Sequence, residues 1–326
     1  MKSILVLFIL GFMISIPCTA QQTRVDFNLQ GEVQEVLEVR SSVASKWQND
    51  TATFTFNQAG ILRKETNQNN NSLTCSLTKR YDEQGNFTFQ KCSGCPNTES
   101  AVNSYNETGQ LAYAIEKMWG LKTITTSFSY NTFKQLVSIN MIDSSILVGP
   151  SFHKERINFE YDKSGNQISK TVYQANKIDD EFDLILKDLN PYNDSNQMIL
   201  KKTIDHKTGV SAITYTNFKY DKNGNLIWRK TTHKDSLRES ITVFTYQQNQ
   251  LTSEMSTITY LDKRKLKTYQ MGYEYDSFGN ETKYIDYGTN HIYKYEYDSR
   301  GNWVEKTIIN DGVPLIKKTR AITYFD

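Results

Sequence analysis

The stretch YEYDSRGNWVEK, residues 295–306, contains the local signals of a β-hairpin tip. Its first two tyrosines are two residues apart, so in a strand their side chains share one face. Asp298 can accept hydrogen bonds from backbone N–H groups two residues on, and Gly301 follows where a type I turn with a G1 bulge requires a positive φ. Counting that bulge, Trp303 on the returning strand lies opposite Tyr297. The stretch therefore predicts a hairpin with its aromatic side chains on one face.

Related stretches recur along the chain at a mean spacing of 27 residues, aligned on the position of Tyr297. The aligned aromatic residues are Phe27, Phe56, Tyr81, Tyr105, Tyr130, Tyr161, Tyr192, Tyr220, Tyr246, Tyr275 and Tyr297. Glycine stands four positions later in eight of the eleven copies, at Gly31, Gly60, Gly85, Gly109, Gly165, Gly224, Gly279 and Gly301. Aromatic residues also recur two positions before the aligned residue, and apolar residues six positions after it. Three kinds of position that recur together at the same offsets indicate a repeat protein.

Five copies resemble the YD repeat of RHS proteins. They are YDEQGN (81–86), YDKSGN (161–166), YDKNGN (220–225), YDSFGN (275–280) and YDSRGN (297–302). The resemblance implies hairpins that join edge to edge in a long spiralling sheet. In large members of that family the sheet forms a hollow shell around a C-terminal toxin. This chain is far shorter and contains no recognisable autoprotease-like segment or toxin domain, so the resemblance implies a short, exported member that shares the architecture.

The composition also indicates an all-β fold. The 326 residues include 20 Tyr and 16 Phe but 5 Pro, which suits continuous ladders of half-buried strands. We predict an antiparallel meander of about twenty strands, two per repeat, with the aromatic columns on its inner face. Such a large sheet must curl, so we expect a spiral or a flattened, barrel-like sheet. Because a repeat array has no internal boundary, residues 21–326 are predicted to form one domain.

The repeated tyrosines and glycines are predicted to be structural residues rather than a catalytic or binding site. The rings are expected to pack against those of neighbouring hairpins, and the glycines to supply positive φ angles. The residues assigned to this role are Tyr81, Gly85, Tyr161, Gly165, Tyr220, Gly224, Tyr275, Gly279, Tyr297, Gly301 and Trp303.

The first 20 residues have the pattern of a signal peptide: one Lys, an apolar run and small residues at the end. Cleavage after Ala20 would leave Gln21 first and place the protein in the periplasm, at the cell surface or outside the cell. A lipoprotein anchored through Cys18 is a less favoured alternative, because Pro17 is a poor residue before a lipidated cysteine. After removal of the signal peptide, no membrane span is predicted.

Three cysteines remain in the predicted mature chain: Cys75, Cys92 and Cys95. An exported protein meets an oxidising environment, so a structural disulfide is expected. With Tyr81 facing Phe87, Cys75 is predicted to lie opposite Ser93, within reach of either other cysteine. The pairing stays open between these two partners.

One segment departs from the repeat. Residues 179–191 place Phe182, Ile185, Leu186 and Leu189 at helical spacing before a proline. We predict a short helix or a loop that covers a sheet end, with a strand at 184–186 as the alternative.

The sequence lacks the usual signatures of catalysis. Its four histidines are isolated, and zinc motifs, phosphate loops and nucleophile elbows are absent. The repeated turn aspartates occur singly, whereas hard cations require several converging oxygen ligands. The formal net charge is +2, and the lysines and arginines are not clustered as nucleic-acid binding would require. The prediction is a non-enzymatic protein with no metal, no other cofactor and no nucleic-acid partner.

Two functions remain as hypotheses. The first is a binding module for a cell-surface glycan or another exported protein, with Trp47, Trp119 and Trp228 as candidate exposed aromatic residues. The second is a structural module, a reduced RHS-type shell that works with a separately encoded toxin-like partner. An outer-membrane barrel is disfavoured, because many strands offer only two or three positions compatible with lipid.

Overall fold

The structure, a computed structural model, describes residues 27, 29–43, 50–69, 75–84, 86–93, 100–118, 122–145, 151–175, 181–206, 211–234, 238–260, 265–286 and 288–325. The predicted signal peptide, its alternative at Cys18, and Gly85, Cys95, Trp47 and Trp119 lie outside these residues. Within the described residues, no helix is long and apolar enough to cross a bilayer.

The described residues form 22 β-strands and no α-helix. The strands are β1 (Val33–Ser42), β2 (Asp50–Phe56), β3 (Leu62–Asn69), β4 (Cys75–Tyr81), β5 (Phe87–Ser93), β6 (Ser100–Tyr105), β7 (Leu111–Met118), β8 (Lys122–Tyr130), β9 (Leu136–Ser145), β10 (Ser151–Tyr161), β11 (Gln167–Ala175), β12 (Asp183–Leu189), β13 (Leu200–Asp205), β14 (Ala212–Tyr220), β15 (Leu226–His233), β16 (Arg238–Gln247), β17 (Gln250–Tyr260), β18 (Lys265–Tyr275), β19 (Glu281–Asp286), β20 (Thr289–Tyr297), β21 (Trp303–Asn310) and β22 (Val313–Tyr324).

The strands form one antiparallel meander that closes on itself. Each strand pairs with the next along the chain, and β22 also pairs with β1, from Val33 opposite Tyr324 to Ser42 opposite Ile316. The predicted all-β meander of repeated hairpins is confirmed, and the sheet closes into a barrel. Since consecutive strands alternate in direction, all repeat turns lie at one rim, which we call the motif rim.

A second bulge follows the turn in nearly every hairpin. Tyr297 pairs with Trp303 as predicted, but the preceding Glu296 pairs with Glu305, so Val304 is an extra residue on the returning strand. The same one-residue register shift precedes the motif aromatic in eight other hairpins. Bulges bend a strand and increase its twist. Their repetition at one rim gives a physical reason for the sheet to curl until its two edges meet.

The closing pair of strands is itself a repeat, built from the two ends of the chain. Tyr324 lies 27 residues after Tyr297, which is the mean repeat spacing, and pairs with Val33, the residue six positions after Phe27. This split hairpin has the same register shift as the others, between Val33 and Glu35. Tyr324 is therefore a further member of the aromatic column, which the sequence alignment missed because no turn follows it.

The best-packed hydrophobic cluster lies at this closure. Leu29, Val33 and Val36 are buried there together with residues of the first repeats, and rings of both chain ends pack around them. The other buried members are Phe56, Leu62 and Tyr81, and the partly buried ones are Phe27, Phe54, Phe87, Ile322 and Tyr324. Burial of this apolar surface therefore stabilises the contact between the first and last strands.

Elsewhere, the sheet is a single layer with little burial on either face. In β13, β15 and β19, every residue is half-buried, instead of alternating between buried and exposed as in a sheet that packs on a second layer. The aromatic face is the less exposed of the two. The residue directly before the motif tyrosine points to the other face and is exposed in many repeats, as at Glu160, Lys219, Glu274 and Glu296.

The helix or covering loop favoured for residues 179–191 is wrong over its described part, where residues 183–189 form β12. This strand pairs with β11 on one side and β13 on the other. A single short helix is marginal in water, whereas a strand here supplies hydrogen bonds to two otherwise unpaired edges. A register shift at Val172 and Tyr173 accommodates the irregular spacing.

Candidate functional site

Most of the described motif turns are organised by one carboxylate or amide side chain. In the turn that begins at Asp162, Oδ1 accepts hydrogen bonds from the backbone N–H groups of Ser164 and Asn166, both at 2.9 Å. Oδ2 accepts a third hydrogen bond, also 2.9 Å, from Nδ2 of Asn166. This side-chain hydrogen bond and the backbone ones lower the pKa of Asp162. Asp221 makes the same contacts with Asn223 and Asn225.

The glycine of the motif occupies the position where the backbone must turn with positive φ. The angles are +86° at Gly165, +88° at Gly224, +81° at Gly279 and +84° at Gly301. Asn196 takes this position in its own repeat with a φ of +58°. At Gly301, a Cβ atom would also lie 3.2 Å from the ring of Phe278, so side chains are disfavoured there by two separate effects.

The hydroxyl of the motif tyrosine links each hairpin to the preceding one. In five repeats, it donates a hydrogen bond to the backbone carbonyl of the residue six positions after the preceding motif aromatic. These contacts are Tyr105 to Phe87 (2.6 Å), Tyr130 to Leu111 (2.8 Å), Tyr161 to Leu136 (2.8 Å), Tyr192 to Gln167 (3.2 Å) and Tyr220 to Met198 (2.9 Å). We call this series the tyrosine ladder.

The ladder satisfies carbonyls that the sheet leaves unpaired. Backbone pairing between β9 and β10 ends at Ser138 opposite Asn158, two residues short of Leu136. The carbonyl of Leu136 therefore lies beyond the last strand pair, and the hydroxyl of Tyr161 reaches it. Unpaired backbone groups are costly when shielded from water. This explains why the column is mostly tyrosine rather than phenylalanine.

The last two repeats use a different acceptor. Tyr297 donates to Oδ2 of the turn residue Asp276, and Tyr324 donates to Oδ2 of Asp298. Burial opposes ionisation of both aspartates, but these and other hydrogen bonds leave their pKa values lowered. Tyr295 takes over the ladder contact, donating to the carbonyl of Glu281 at 3.0 Å.

The structure thus places the described motif glycines in the turns, Tyr161 and Tyr220 in the ladder, and Tyr275, Tyr297 and Trp303 in the aromatic columns. Tyr81 is buried and its hydroxyl donates to Glu65 at 3.3 Å. For the cysteines, the predicted register is wrong: Ser93 pairs with Ser76, and Cys92 with Leu77, because the second bulge shifts the hairpin by one residue. The disulfide itself stays a prediction.

A second assembly of aromatic side chains, apart from the cluster at the closure, lies on the aromatic face of β18–β21. We call it the aromatic patch, and its members are Tyr273, Tyr284, His291, Tyr293, Tyr295 and Trp303. The strand register brings them together: Tyr273 pairs with Tyr284, Tyr284 with His291, and Tyr295 with Lys306.

Most rings of the aromatic patch lie nearly parallel to their neighbours. The ring centroids of Tyr273 and Tyr284 are 5.3 Å apart, and those of Tyr284 and His291 are 5.6 Å apart, with interplanar angles of 28° and 22°. Tyr295 meets Trp303 edge-on at 6.3 Å. Trp303 is buried, whereas the other members are half-buried and so retain accessible ring surface.

Charged groups border these rings. The Lys306 Nζ atom lies 4.3 Å from the ring centroid of Tyr293 and 5.1 Å from that of Tyr295. The Arg320 guanidinium carbon lies 3.4 Å from the ring centroid of Trp303. Burial raises the pKa of Glu281, which lies near Lys306 and Tyr293. The patch therefore combines aromatic rings with hydroxyl, carboxyl and cationic groups.

Sequence reasoning placed three of the patch residues in the repeat columns and missed Tyr284, His291 and Tyr293 as members of a site. One signal was available: eight of the 20 tyrosines lie between residues 269 and 297. Of the three predicted tryptophan candidates, Trp228 alone is described. It is half-buried on the opposite face, with the Lys219 Nζ atom 4.8 Å from its ring centroid. In the described ranges, no three His, Cys, Asp or Glu side chains are grouped to hold a metal ion.

No protein-family model matches the chain. No curated protein matches it either. Among solved structures, a chain of the TcdB2-TccC3-Cdc42 complex is 14% identical, with a TM-score of 0.31 over 84% of this chain and 16% of that one. A chain of TcdB2-TccC3 is 12% identical, with a TM-score of 0.27 over 82% and 18% of the two chains.

A porin-like protein from Bacteroides uniformis is 12% identical, with a TM-score of 0.28 over 90% of this chain and 98% of that one. The chain thus spans less than a fifth of the length of the two toxin-complex chains. No family assignment follows from these likenesses.

Removal of a ladder hydroxyl should destabilise the sheet without altering its packing. We expect Tyr161→Phe and Tyr220→Phe each to lower the free energy of unfolding by about 1 kcal/mol, because a carbonyl loses its donor. The matched control is Tyr246→Phe, whose hydroxyl makes no hydrogen bond among the described residues. Denaturant titration measures the difference. Equal effects at all three positions would contradict a stabilising role for the ladder.

The turn carboxylates should make stability depend on pH in the acid range. Because the folded-state pKa values of Asp162 and Asp221 are lowered, their contribution is complete above the ordinary aspartate value. It is lost as pH falls through the lowered values. We expect the double variant Asp162→Asn/Asp221→Asn to lose less melting temperature than the natural protein between about pH 5 and 2.5.

The reciprocal control is Asn193→Asp. Asn193 organises the equivalent turn without a charge, through hydrogen bonds to Ser195 and Gln197. Its replacement by aspartate should increase the acid sensitivity. The same acid sensitivity in all of these proteins would show that the turn carboxylates are not its source.

Proposed function

We propose that this protein is an exported, non-enzymatic binding module that recognises a cell-surface glycan through the aromatic patch. The observation that carries the proposal is the set of nearly parallel, half-exposed rings of Tyr273, Tyr284 and His291, beside Tyr293 and Tyr295. Stacked rings cover one another's faces, so this set presents ring edges and hydroxyl groups to a sugar, and rigid aromatic side chains provide contact area at low entropic cost.

The polar groups around the rings support this ligand class. A sugar presents hydroxyl groups at the edges of an apolar face, so it requires donors and acceptors at the borders of a ring platform. The carboxyl of Glu281, the imidazole of His291 and the ammonium of Lys306 lie at such borders. A protein ligand would instead be favoured by a broad apolar surface. Among the exposed large apolar residues of the described strands, Val243 and Met255 are cross-strand neighbours, and they lie on the face opposite the patch.

Glycan binding can be tested with the predicted mature chain on a glycan array, followed by titration of the sugars that bind. We expect Tyr284→Ala and Tyr293→Ala each to weaken binding at least tenfold, because each removes a ring of the platform. The matched control is Trp228→Ala, which removes an aromatic ring from the opposite face. Melting temperatures, measured in parallel, separate lost contacts from lost folding.

If none of the glycans binds, the proposed function is wrong. If Trp228→Ala abolishes binding and the patch variants retain it, the ligand lies on the other face. In that case, the aromatic patch has only a packing role.

A structural module is the second candidate, and the closed single-layer sheet favours it, since such a sheet encloses a space without filling it. Under this hypothesis, the protein is a reduced shell that works with a separately encoded partner. A co-expressed partner would then become resistant to protease, and none of the patch variants would change that resistance.

Export is part of the proposal and has its own test. The apolar run and the small residues that follow it predict cleavage after Ala20. We expect N-terminal sequencing of protein recovered from outside the cytoplasm to begin at Gln21. A sequence that starts at Met1, or a lipid on Cys18, would contradict this.

A further inference from the structure

Three cations and two carboxylates lie along one side of the aromatic patch. The cations are Lys306, Lys318 and Arg320, and the carboxylates are Glu38 and Glu281. Glu38 forms ion pairs with two of the cations: its Oε1 atom is 2.8 Å from Nζ of Lys318, and its Oε2 atom is 3.1 Å from Nε of Arg320. One carboxylate therefore neutralises a pair of positive groups.

Lys306 is the cation without a paired carboxylate. Its ammonium contacts the rings of Tyr293 and Tyr295, and in the part of the chain that the structure describes it has no ion pair within 4 Å. Burial and then the positive charge of Lys318 lower its pKa, and the negative charges of Glu281 and Glu38 oppose this shift without cancelling it. An anion beside this ammonium would relieve the repulsion and stabilise the charged form of the lysine.

Arg320 offers a second unsatisfied donor in the same cluster. Its side chain is 9% exposed, its Nε atom is held by Glu38 and its guanidinium stacks on Trp303. Its Nη1 atom is buried and has no hydrogen-bond partner among the described residues. A buried donor of this kind is destabilising unless an acceptor is supplied. Because Glu38 and Trp303 fix the plane of the guanidinium, its positive charge is held in one position at the edge of the patch.

We infer that the aromatic patch binds an acidic glycan, whose carboxylate or sulfate group lies beside Lys306, within the positive field of the buried Arg320. This inference rests on the proposed glycan binding and adds the charge of the ligand. The sugar lies against the ring edges of the patch, since Lys306 already covers a face of Tyr293 and of Tyr295. Lys306, which is half-buried, meets the anion first, and Arg320 lies deeper.

The test is a calorimetric titration of the mature chain with three hexasaccharides. A hyaluronan hexasaccharide carries carboxylates, a chondroitin sulfate hexasaccharide carries carboxylates and sulfates, and chitohexaose is neutral. We expect at least one acidic sugar to bind tenfold or more tightly than chitohexaose, and its affinity to fall as salt is raised. The two acidic sugars distinguish a carboxylate from a sulfate requirement.

Variants locate the anion. Lys306→Gln should weaken binding of the acidic sugar at least fivefold while the melting temperature stays near that of the natural protein. Arg320→Lys keeps the charge but removes the stacked guanidinium and so destabilises the fold, which makes Lys306→Gln the decisive variant. The matched control is Lys219→Gln, because Lys219 also lies over an aromatic ring but on the opposite face. It should leave the affinity unchanged.

The outcomes separate the two proposals. If chitohexaose binds as tightly as the acidic sugars and salt has no effect, glycan binding stands and the acidic class is wrong. An unchanged affinity in Lys306→Gln overturns the assigned position of the anion. If neither these sugars nor any on the array binds, both proposals fail.

Discussion

The hydrogen bond from a motif tyrosine to the carbonyl of the preceding hairpin is the interaction on which the motif rim depends. Neighbouring hairpins separate before they reach the turns, and a phenolic hydroxyl bridges the gap that backbone groups cannot cross. A chain that lacked the hydroxyl would need water or another donor for each carbonyl.

Stability in this architecture comes mainly from neighbouring contacts along the sheet. Turn side chains, bulges and tyrosines act between adjacent strands, as expected for a repeat protein. The exception is the closure, where a compact hydrophobic cluster and the ion pairs of Glu38 with Lys318 and Arg320 join residues more than 270 positions apart. A partly buried charged pair contributes little by itself, so the apolar cluster supplies most of the attraction between the two edges.

The all-β class, the hairpin repeat and the facing of Tyr297 and Trp303 could be predicted from sequence, because each follows from local turn chemistry and a period of two. The second bulge could not be predicted, since nothing in the residue type of Val304 marks a bulge. Because the bulge was not predicted, the predicted partner of Cys75 was wrong by one position. The pattern at Phe182 and Leu186 suggested a helix because helical spacing is a local signal, whereas pairing with two distant strands is not. Closure could not be predicted from local sequence either. No turn follows Tyr324 along the chain, because the strand and turn residues that complete its repeat lie near the N-terminal end. The grouping of Tyr284 with His291 likewise depends on register between strands.

The split repeat has a consequence for the order of folding. Every other strand pair joins segments that are near in sequence and can form as the chain emerges, whereas β1 must wait for β22. By the loop-closure relation, bringing together ends some 280 residues apart costs about 3 kcal/mol more than closing a ten-residue loop. Until that last step, β1 and β22 are open edges with complementary side chains, and the nearest complement of each is the other edge of a second copy. The rate of closure relative to encounter between chains therefore decides whether synthesis yields a closed monomer or strand-exchanged chains.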